Sequence, residues 1–393
     1  MKKSKQLIRT ILNSILPVLA AFIIGAIIIA SLGENPLEVY GIMLGKSLFT
    51  AKGLLNTLHY ASPLLLTGVA IAITFKANIF NMGVEGQLLF GGFFAGIAGA
   101  TFNFGSSIVE KLVCILVGIA FGILFAIIPA LLKAYFRVDE MVVTLMLNYA
   151  MVKVLEYLSA GPFREEGSGY VCTTTIKENA MFNRLNIANS KITLFFFIAL
   201  IILVIMAFVF RKTKLGMEIE AIGKNPEFAE ATGMRARRKI IILMCISGGL
   251  AGLAGAGWMM SEKYKYTLGF SGATGLGWDG MLVSLLGKHN PIGILFASIF
   301  YSALKTGADS INMYTSVPKE IVAVLQGLII LFLAIRFLDE MYGIKEKIMK
   351  KINTKKEVAW WNLLMQYFMI QSTMLFQFCY VFLVVSLHIK QMS

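Results

Sequence analysis

Apolar runs long enough to cross a lipid bilayer recur along the whole chain, and basic residues gather in the gaps between them. A helix crossing the hydrocarbon needs about 20 apolar residues. Inside lipid the backbone must satisfy its own hydrogen bonds, which leaves helices as the elements that such runs can form. Hydropathy places the runs at 11–32, 57–76, 88–100, 112–132, 141–158, 192–210, 240–259, 278–286, 292–304 and 322–337. Counted as ten spans with the N-terminus inside, they put every rich Lys/Arg cluster on the inner side: Lys2, Lys3, Lys5 and Arg9, then Lys133 with Arg137, the stretch 211–239, Lys288, and 345–356. The spans follow from hydropathy alone, so the charge bias checks them independently. The expected fold is an all-α integral membrane protein of about ten transmembrane helices with a cytoplasmic N-terminus.

Composition agrees. Hydrophobic residues make up 57% of the chain and charged ones 15%, against an apolar share of about 45–50% in soluble domains. The formal charge of +14 does not point to nucleic acid, because the basic residues lie between bilayer-length runs and serve topology and anionic lipid. Cys114, Cys172, Cys245 and Cys379 lack CxxC spacing, and His59, His289 and His388 are scattered, so neither disulfide nor metal chemistry is indicated. The run at 11–32 has no A-x-A cleavage site and is expected to remain as a span.

Between the runs, 33–56 is amphipathic and is expected outside. Its GIMLGKS resembles a phosphate loop but has three residues between the glycines instead of four, and no strand before it, so no ATP site is expected in this chain. Residues 159–190 form the main external loop, and 261–277 a shorter, glycine-broken one. The run at 278–286 is too short to span alone and turns back at GKHNP. The apolar residues 358–387 suit either an eleventh span or an interfacial helix anchored by Trp360, Trp361 and Tyr367.

The stretch 211–239, RKTKLGMEIEAIGKNPEFAEATGMRARRK, is the largest polar surface on the inner side. Asn225 is a good N-cap, Pro226 fits the first helical position, Glu227 sits in the first turn and Gly233 suits the C-terminal cap. These residues punctuate a helix of about two turns, too short to be stable in isolation. Two readings stand: a docking helix held by a partner, or a solvated connector whose charges serve only the positive-inside rule.

Within the apolar region, Asn78, Asn81, Glu85 and Gln87 crowd together with Gly83 and Gly86. A carboxylate at mid-bilayer costs about 2.5–3.5 kcal/mol, so Glu85 is expected to face a polar cavity or a partner. Amides offer paired donors and acceptors to an uncharged polar solute. The competing reading is an inner loop beginning at Lys76; the apolar flanks favour the cavity. Asn148 and Asp279 are further candidates for the solute path, each equally able to be a structural hydrogen bonder. Gly248, Gly252 and Ala256 share one helix face, as do Gly118 and Gly122, which suits close helix packing. No HExxH, GxSxG or compact acid–histidine set points to hydrolysis, and no catalytic or metal-binding residue is assigned.

NIFNMGVEGQLLFGG, DEMVVTLMLNY, AIGKNPEFAEATGM followed by SGGLAGLAGAG, and LLGKHNPIGILFASIFYSAL occur in that order. Together they resemble the permease subunits of nucleoside-type ABC importers, which work with BMP-type lipoproteins and fall in the branched-chain amino acid/ribose permease superfamily. The resemblance covers roughly 11–337. It implies a bacterial plasma (inner) membrane subunit that pairs with a second homologous permease, docks on a separate ABC ATPase and receives solute from an extracellular substrate-binding lipoprotein. ATP and Mg would be bound by the ATPase, with no cofactor in this chain. Gly223, Asn225, Pro226, Glu230 and Gly233 fall on that family's coupling loop, and Asn81, Glu85 and Gln87 on its signature near the solute path. The G-x-D-L-S-x-G pattern usual in ribose-type permeases is absent. Purine nucleosides such as guanosine are therefore the expected solute, with a simple sugar as the alternative and ion-coupled transport as a different class. On this basis 1–340 form the transmembrane permease domain, with the coupling loop at 211–239, and 341–393 form a basic tail and an atypical apolar extension.

Overall fold

The computed structural model describes residues 18–267, 274–315, 317, 318 and 320–342, and the side chains of all of these except 312, 330 and 333–342. Among them are thirteen α-helices and no strand longer than an isolated bridge. They are α1 (Val18–Ser31), α2 (Pro36–Leu48), α3 (Ala51–Lys76), α4 (Val84–Thr101), α5 (Ser107–Phe136), α6 (Glu140–Ala160), α7 (Phe195–Lys212), α8 (Lys214–Lys224), α9 (Pro226–Ala231), α10 (Ala236–Trp258), α11 (Leu276–Leu286), α12 (Pro291–Tyr314) and α13 (Glu320–Tyr342). The chain is an all-α membrane protein. Each of the ten apolar runs holds a helix. Six helices among the described residues are long and apolar enough to cross a bilayer by themselves, or seven if the pair α1–α2, bent by 119°, counts as one span. The expected count of ten is therefore not confirmed. The apolar extension 358–387 lies outside the described residues.

The chain divides into two compact units. In residues 47–306, α3 is the central helix. Thr50 caps it, its hydroxyl accepting from the Gly53 N–H at 3.1 Å, and every residue from Ala61 to Thr74 is buried. The helix is apolar on all sides, so burial on all sides suits it. Pro63 removes one backbone donor from the helix. The Thr67 hydroxyl, one turn on, donates to the Pro63 carbonyl at 3.0 Å. Against α3 pack α7, α10 and α11, with α4 and α8 touching it more lightly, and α5 packs on α4 and α10. The outer flanks of α5 and α7 leave Leu116, Leu124, Ile128, Ile201, Val204 and Phe208 more than half or about half exposed, an apolar surface that only lipid or another membrane subunit can cover.

Helices α4, α5 and α10 meet through backbone. A Cβ built on Gly91 would lie 2.6 Å from the Gly252 Cα and 2.6 Å from the Gly118 carbonyl oxygen, and one on Gly118 would lie 2.6 Å from the Ala256 Cβ. The small-residue faces foreseen at Gly118–Gly122 and Gly248–Gly252–Ala256 are these contacts, and Gly91 of α4 completes them. Where apolar burial gives no advantage over lipid, such close approach and the dispersion it gains hold helices together.

In the unit formed by 1–46 and 307–393, the Tyr40 hydroxyl donates to the Phe22 carbonyl at 2.8 Å across the α1–α2 bend. Gly25 leaves room for the Leu325 side chain. Lys46 lies over the Tyr314 ring at 4.8 Å. Gly33, at the bend, has a φ of +84°, a conformation that glycine adopts without steric cost.

Candidate functional site

The segment between α3 and α4, residues 77–83, is the polar centre of the larger unit. α6 and α10 hold it from two sides. Along α6 the polar residues Glu140, Thr144 and Asn148 recur every four positions, which aligns them on one helix face. Each takes part of the segment's backbone. The Glu140 carboxylate accepts from the Phe80 N–H at 3.1 Å and the Thr144 hydroxyl from the Met82 N–H at 3.1 Å. The Asn148 amide accepts from the Gly86 N–H at 2.9 Å and donates to the Met82 carbonyl at 2.7 Å. Lys133 of α5 pairs with Glu140 at 2.6 Å, so the one carboxylate on this face is neutralised.

Asn81 and Gln87 face each other, both fully buried. Their side-chain amides exchange two hydrogen bonds of 3.2 Å, Asn81 Nδ2 also donates to Ser247 Oγ of α10 at 3.0 Å, and its Oδ1 accepts from the Gly83 N–H at 3.1 Å. A buried amide left unpaired would cost about 1–3 kcal/mol, and here nearly all are paired. Asn78, by contrast, is exposed and adopts a φ of +57° in the turn that ends α3.

Glu85, buried in the first turn of α4, points the other way. Its carboxylate accepts from the backbone N–H groups of Gly275 at 3.1 Å and Gly277 at 2.5 Å, and so caps the start of α11. A carboxylate at a helix N-terminus satisfies orphan donors and meets the positive end of the helix dipole. Gly277 is required there, since a Cβ would lie 2.6 Å from the Glu85 Cα. Asp279, one turn into α11, accepts from the Tyr301 hydroxyl of α12 at 2.6 Å. Thus Asn81, Gln87 and Asn148 belong to one cluster, while Glu85 and Asp279 anchor α11 beside it. Glu140, Thr144, Ser247 and Tyr301 were missed by sequence reasoning. The four-residue repeat on α6 was the available signal.

Replacing Glu85 by Ala is expected to lower the thermal unfolding midpoint of the purified protein and to cut uptake by about tenfold or more, because two buried N–H groups lose their acceptor. Glu85→Gln, which keeps one carbonyl acceptor, should be milder in both measurements. An unchanged midpoint with lost uptake would instead assign the carboxylate to the solute directly.

The second candidate region begins where α7 passes into α8. Thr213 caps α8, and α8 lays Ile219 and Ile222 against the protein. Glu218 of α8 pairs with Lys239 of α10 at 2.6 Å. This helix was not foreseen in 211–239. It ends against the end of α3: a Cβ on Gly223 would meet the Lys76 carbonyl, 3.0 Å from its carbon, and would come within 3.2 Å of the Ala77 Cα. Asn225 then caps α9 as expected, its side chain accepting from the Phe228 N–H at 2.9 Å, with Pro226 in the first position. Gly233 follows at φ +85°, and the Met234 N–H closes the end on the Ala229 carbonyl at 3.1 Å. Ala229 is buried, Phe228 is 65% exposed, and Glu227 and Glu230 face outward. Beside α9 lies an open groove lined by Tyr135, Glu230, Met234, Arg235, Arg238 and Ile241.

The family model for "Branched-chain amino acid transport system / permease component" matches residues 53–334. The chain belongs to this permease family. The match spans both candidate regions. The nucleoside ABC transporter permease protein NupB of Lactococcus lactis is 33% identical to it over 360 residues, 89% of this chain and 97% of that protein. The guanosine ABC transporter permease protein NupP of Bacillus subtilis is 31% identical over 281 residues, 71% and 80% of the two chains. The glucose ABC transporter permease protein TsgB13 of Haloferax volcanii is 28% identical over 331 residues, 81% and 86%. No solved structure matches. With its apolar helices, the permease is a multi-pass protein of the bacterial inner membrane. Permeases of this kind are transport subunits and not themselves enzymes.

In the turn between α11 and α12, Lys288 and His289 both take left-handed conformations, φ 52° and 54°, and His289 Nδ1 pairs with Ser284 Oγ at 2.9 Å. Burial, with the nearby Lys76 charge, pushes the imidazole down to about 4, so it is neutral at cellular pH.

Proposed function

We propose that the chain is the permease subunit of an ABC importer that carries nucleosides, guanosine among them, across the plasma membrane. The similarity to NupB over nearly the full length of both proteins carries this reading, and NupP supports the purine solute. ATP and Mg belong to a separate ATPase, which receives α9 in a groove. A second homologous permease completes the pathway, and an extracellular substrate-binding lipoprotein delivers the solute.

The coupling step follows from the connections of α9. α9, six residues long and too short to be stable alone, is held by α8 and α10, and its exposed Phe228 is an apolar anchor of the kind that partner grooves bury. Motion of α9 pulls on α8, which ends at Gly223 against Lys76. Lys76 opens the segment 77–83, whose buried Asn81, together with Gln87 of α4 and Asn148 of α6, lines the solute path in one state; in the other, Asn81 and Gln87 pair with each other and Asn148 holds the backbone at Met82 and Gly86. Glu85 and Asp279 keep α11 registered on that path. Alternating access is then a change of partners among these amides, driven from α9.

The test is uptake of radiolabelled guanosine, with ribose in parallel, in cells lacking the gene and in cells given it back. Guanosine uptake that returns with the gene supports the reading, and return of ribose uptake alone would replace it with the sugar alternative. Phe228→Asp is expected to abolish guanosine uptake and ATPase stimulation while leaving the permease in the membrane at normal abundance, because the side chain is exposed and its loss disturbs no core. Normal uptake in that variant would remove α9 from coupling.

A further inference from the structure

At the end of α3 and α10 opposite the 211–239 stretch, side chains of a different kind converge. α3 contributes His59 and Tyr60 and α10 contributes Trp258, with ring centroids 5.5 Å apart for His59–Tyr60, 5.9 Å for His59–Trp258 and 5.7 Å for Tyr60–Trp258. Directly after Trp258 the helix widens into a π-turn, Met259–Lys263, a rare geometry that often marks functional positions. The turn brings Glu262 onto the aromatic group. Its Oε2 lies 3.3 Å from His59 Nε2, and its Oε1 lies 2.7 Å from Lys191 Nζ and 3.4 Å from the Tyr60 hydroxyl. Lys191 also donates to the Tyr60 hydroxyl at 3.0 Å, and the Asn56 side chain accepts from its backbone N–H at 2.8 Å, fixing the loop over the site.

Structure alone does not account for all of these groups. The indole Nε1 of Trp258, Nδ1 of His59 and the Ser261 hydroxyl are buried, and among the described residues none of them has a hydrogen-bond partner. Trp258 and His59 are 4% and 1% exposed, and buried polar atoms of this kind are nearly always satisfied by something. The Glu262 side chain is 16% exposed and Lys191 36%, so the group is reached from that side. A donor at the indole, an acceptor or donor at the imidazole, aromatic faces and a carboxylate oxygen, Oε2 of Glu262, with no hydrogen-bond partner among the described residues together match a planar heteroaromatic ring with polar edges.

We infer that His59, Tyr60, Trp258 and Glu262 form a second solute subsite that takes the base of a purine nucleoside, with guanine as the preferred base. The inference rests on the nucleoside reading above and adds a site distinct from the amides of 77–83. Tyr60 and Trp258 offer their faces to the ring, a contact worth about 1–3 kcal/mol per base where it has been measured by truncation. The Trp258 N–H donates to a ring acceptor. Glu262 Oε2 accepts from the ring N–H that guanine carries and adenine lacks. Lys191 aims the carboxylate. No bond is made or broken.

The experiment is photolabelling of the full chain, purified with its partner subunits, by 8-azidoguanosine and by 8-azidoadenosine, with peptide mapping and with uptake of the parent nucleosides measured in cells. Labelled peptides containing Tyr60 or Trp258 are expected. Trp258→Ala should reduce labelling by both nucleosides about tenfold, and Trp258→Phe, which keeps a ring and loses the N–H, about threefold. Glu262→Gln should reduce guanosine labelling about tenfold and adenosine labelling by less than about twofold. A merely structural ion network predicts equal loss for both nucleosides, and that result overturns the subsite. So does labelling confined to other peptides in a protein that transports guanosine. If cells carrying the intact gene take up neither nucleoside, the transport reading fails first and the subsite with it. Should Trp258→Ala not reach the membrane, the ratio of the two labels in Glu262→Gln and Trp258→Phe decides.

Discussion

Gly252→Leu is expected to leave almost no folded permease in the membrane, a drop in abundance of more than about tenfold. A Cβ at this position in α10 would lie 3.0 Å from both the Gly118 carbonyl carbon and the Gly122 Cα, and closer still to the Gly118 carbonyl oxygen. All three are backbone atoms of α5, so no rotamer change can make room. The helices must separate, and α4 is drawn in, because Gly91 packs on the same spot. Overpacking of a tight core costs about 1–3 kcal/mol for added methylenes that neighbours can partly accommodate, and four heavy atoms against rigid backbone exceed that. Even Gly252→Ala should lower the unfolding midpoint. Gly45→Ala in α2 serves as the control, since nothing lies within 4 Å of its added methyl group, and alanine is the better helix former. Immunoblots of membrane fractions measure the first effect and thermal unfolding of purified protein the second. Wild-type abundance of Gly252→Leu would mean that α5 and α10 do not meet as described.

Gly223→Val is expected to lower solute uptake by more than about tenfold while the protein still assembles. The residue ends α8, and an added side chain would strike the Lys76 carbonyl and approach the Ala77 Cα. α8 has two other attachments, the buried Ile219 and Ile222 and the Glu218–Lys239 pair at 2.6 Å, so the helix stays docked and only its contact with the end of α3 shifts. At that contact the backbone of α8 abuts the start of the 77–83 segment. On the coupling route proposed above, a clash there alters how movement of α9 reaches the buried amides, and ATPase activity should lose its response to solute. Reconstitution in proteoliposomes reads both quantities. Uptake within about twofold of wild type, at equal protein, would show that coupling runs by another route.

Legibility differed between the two candidate regions. In α9 the decisive groups are local: Asn225 caps a donor three residues on, Pro226 needs no N–H in the first position, and Gly233 supplies the positive φ. All of that was readable from the order of residues. α8 was not read as a helix, because its propensity is ordinary and its stability comes from burying Ile219 and Ile222 against distant parts of the chain. Polarity in an apolar setting drew attention to the solute-path candidates Asn81, Glu85, Gln87, Asn148 and Asp279, and each has a hydrogen-bond partner within the chain. Their partners were out of reach of sequence. Ser247 is 166 positions from Asn81, and Gly277 is 192 from Glu85.

By itself the sequence determined that this chain lives in a membrane, that it does so as helices, where the polar stretches lie and which of its small residues share a face. Those properties depend on local composition and on periods of a few residues, and lipid enforces them. Only the tertiary structure decided that Glu85 caps α11, that Asn81 and Gln87 satisfy each other, that α8 abuts Lys76, and that His59, Tyr60, Trp258 and Glu262 meet at the far end of the bundle. A buried polar group is obliged to find a partner, but the obligation does not name it. The choice is made by which helices pack together, and here backbone contacts at Gly91, Gly118 and Gly252 make it.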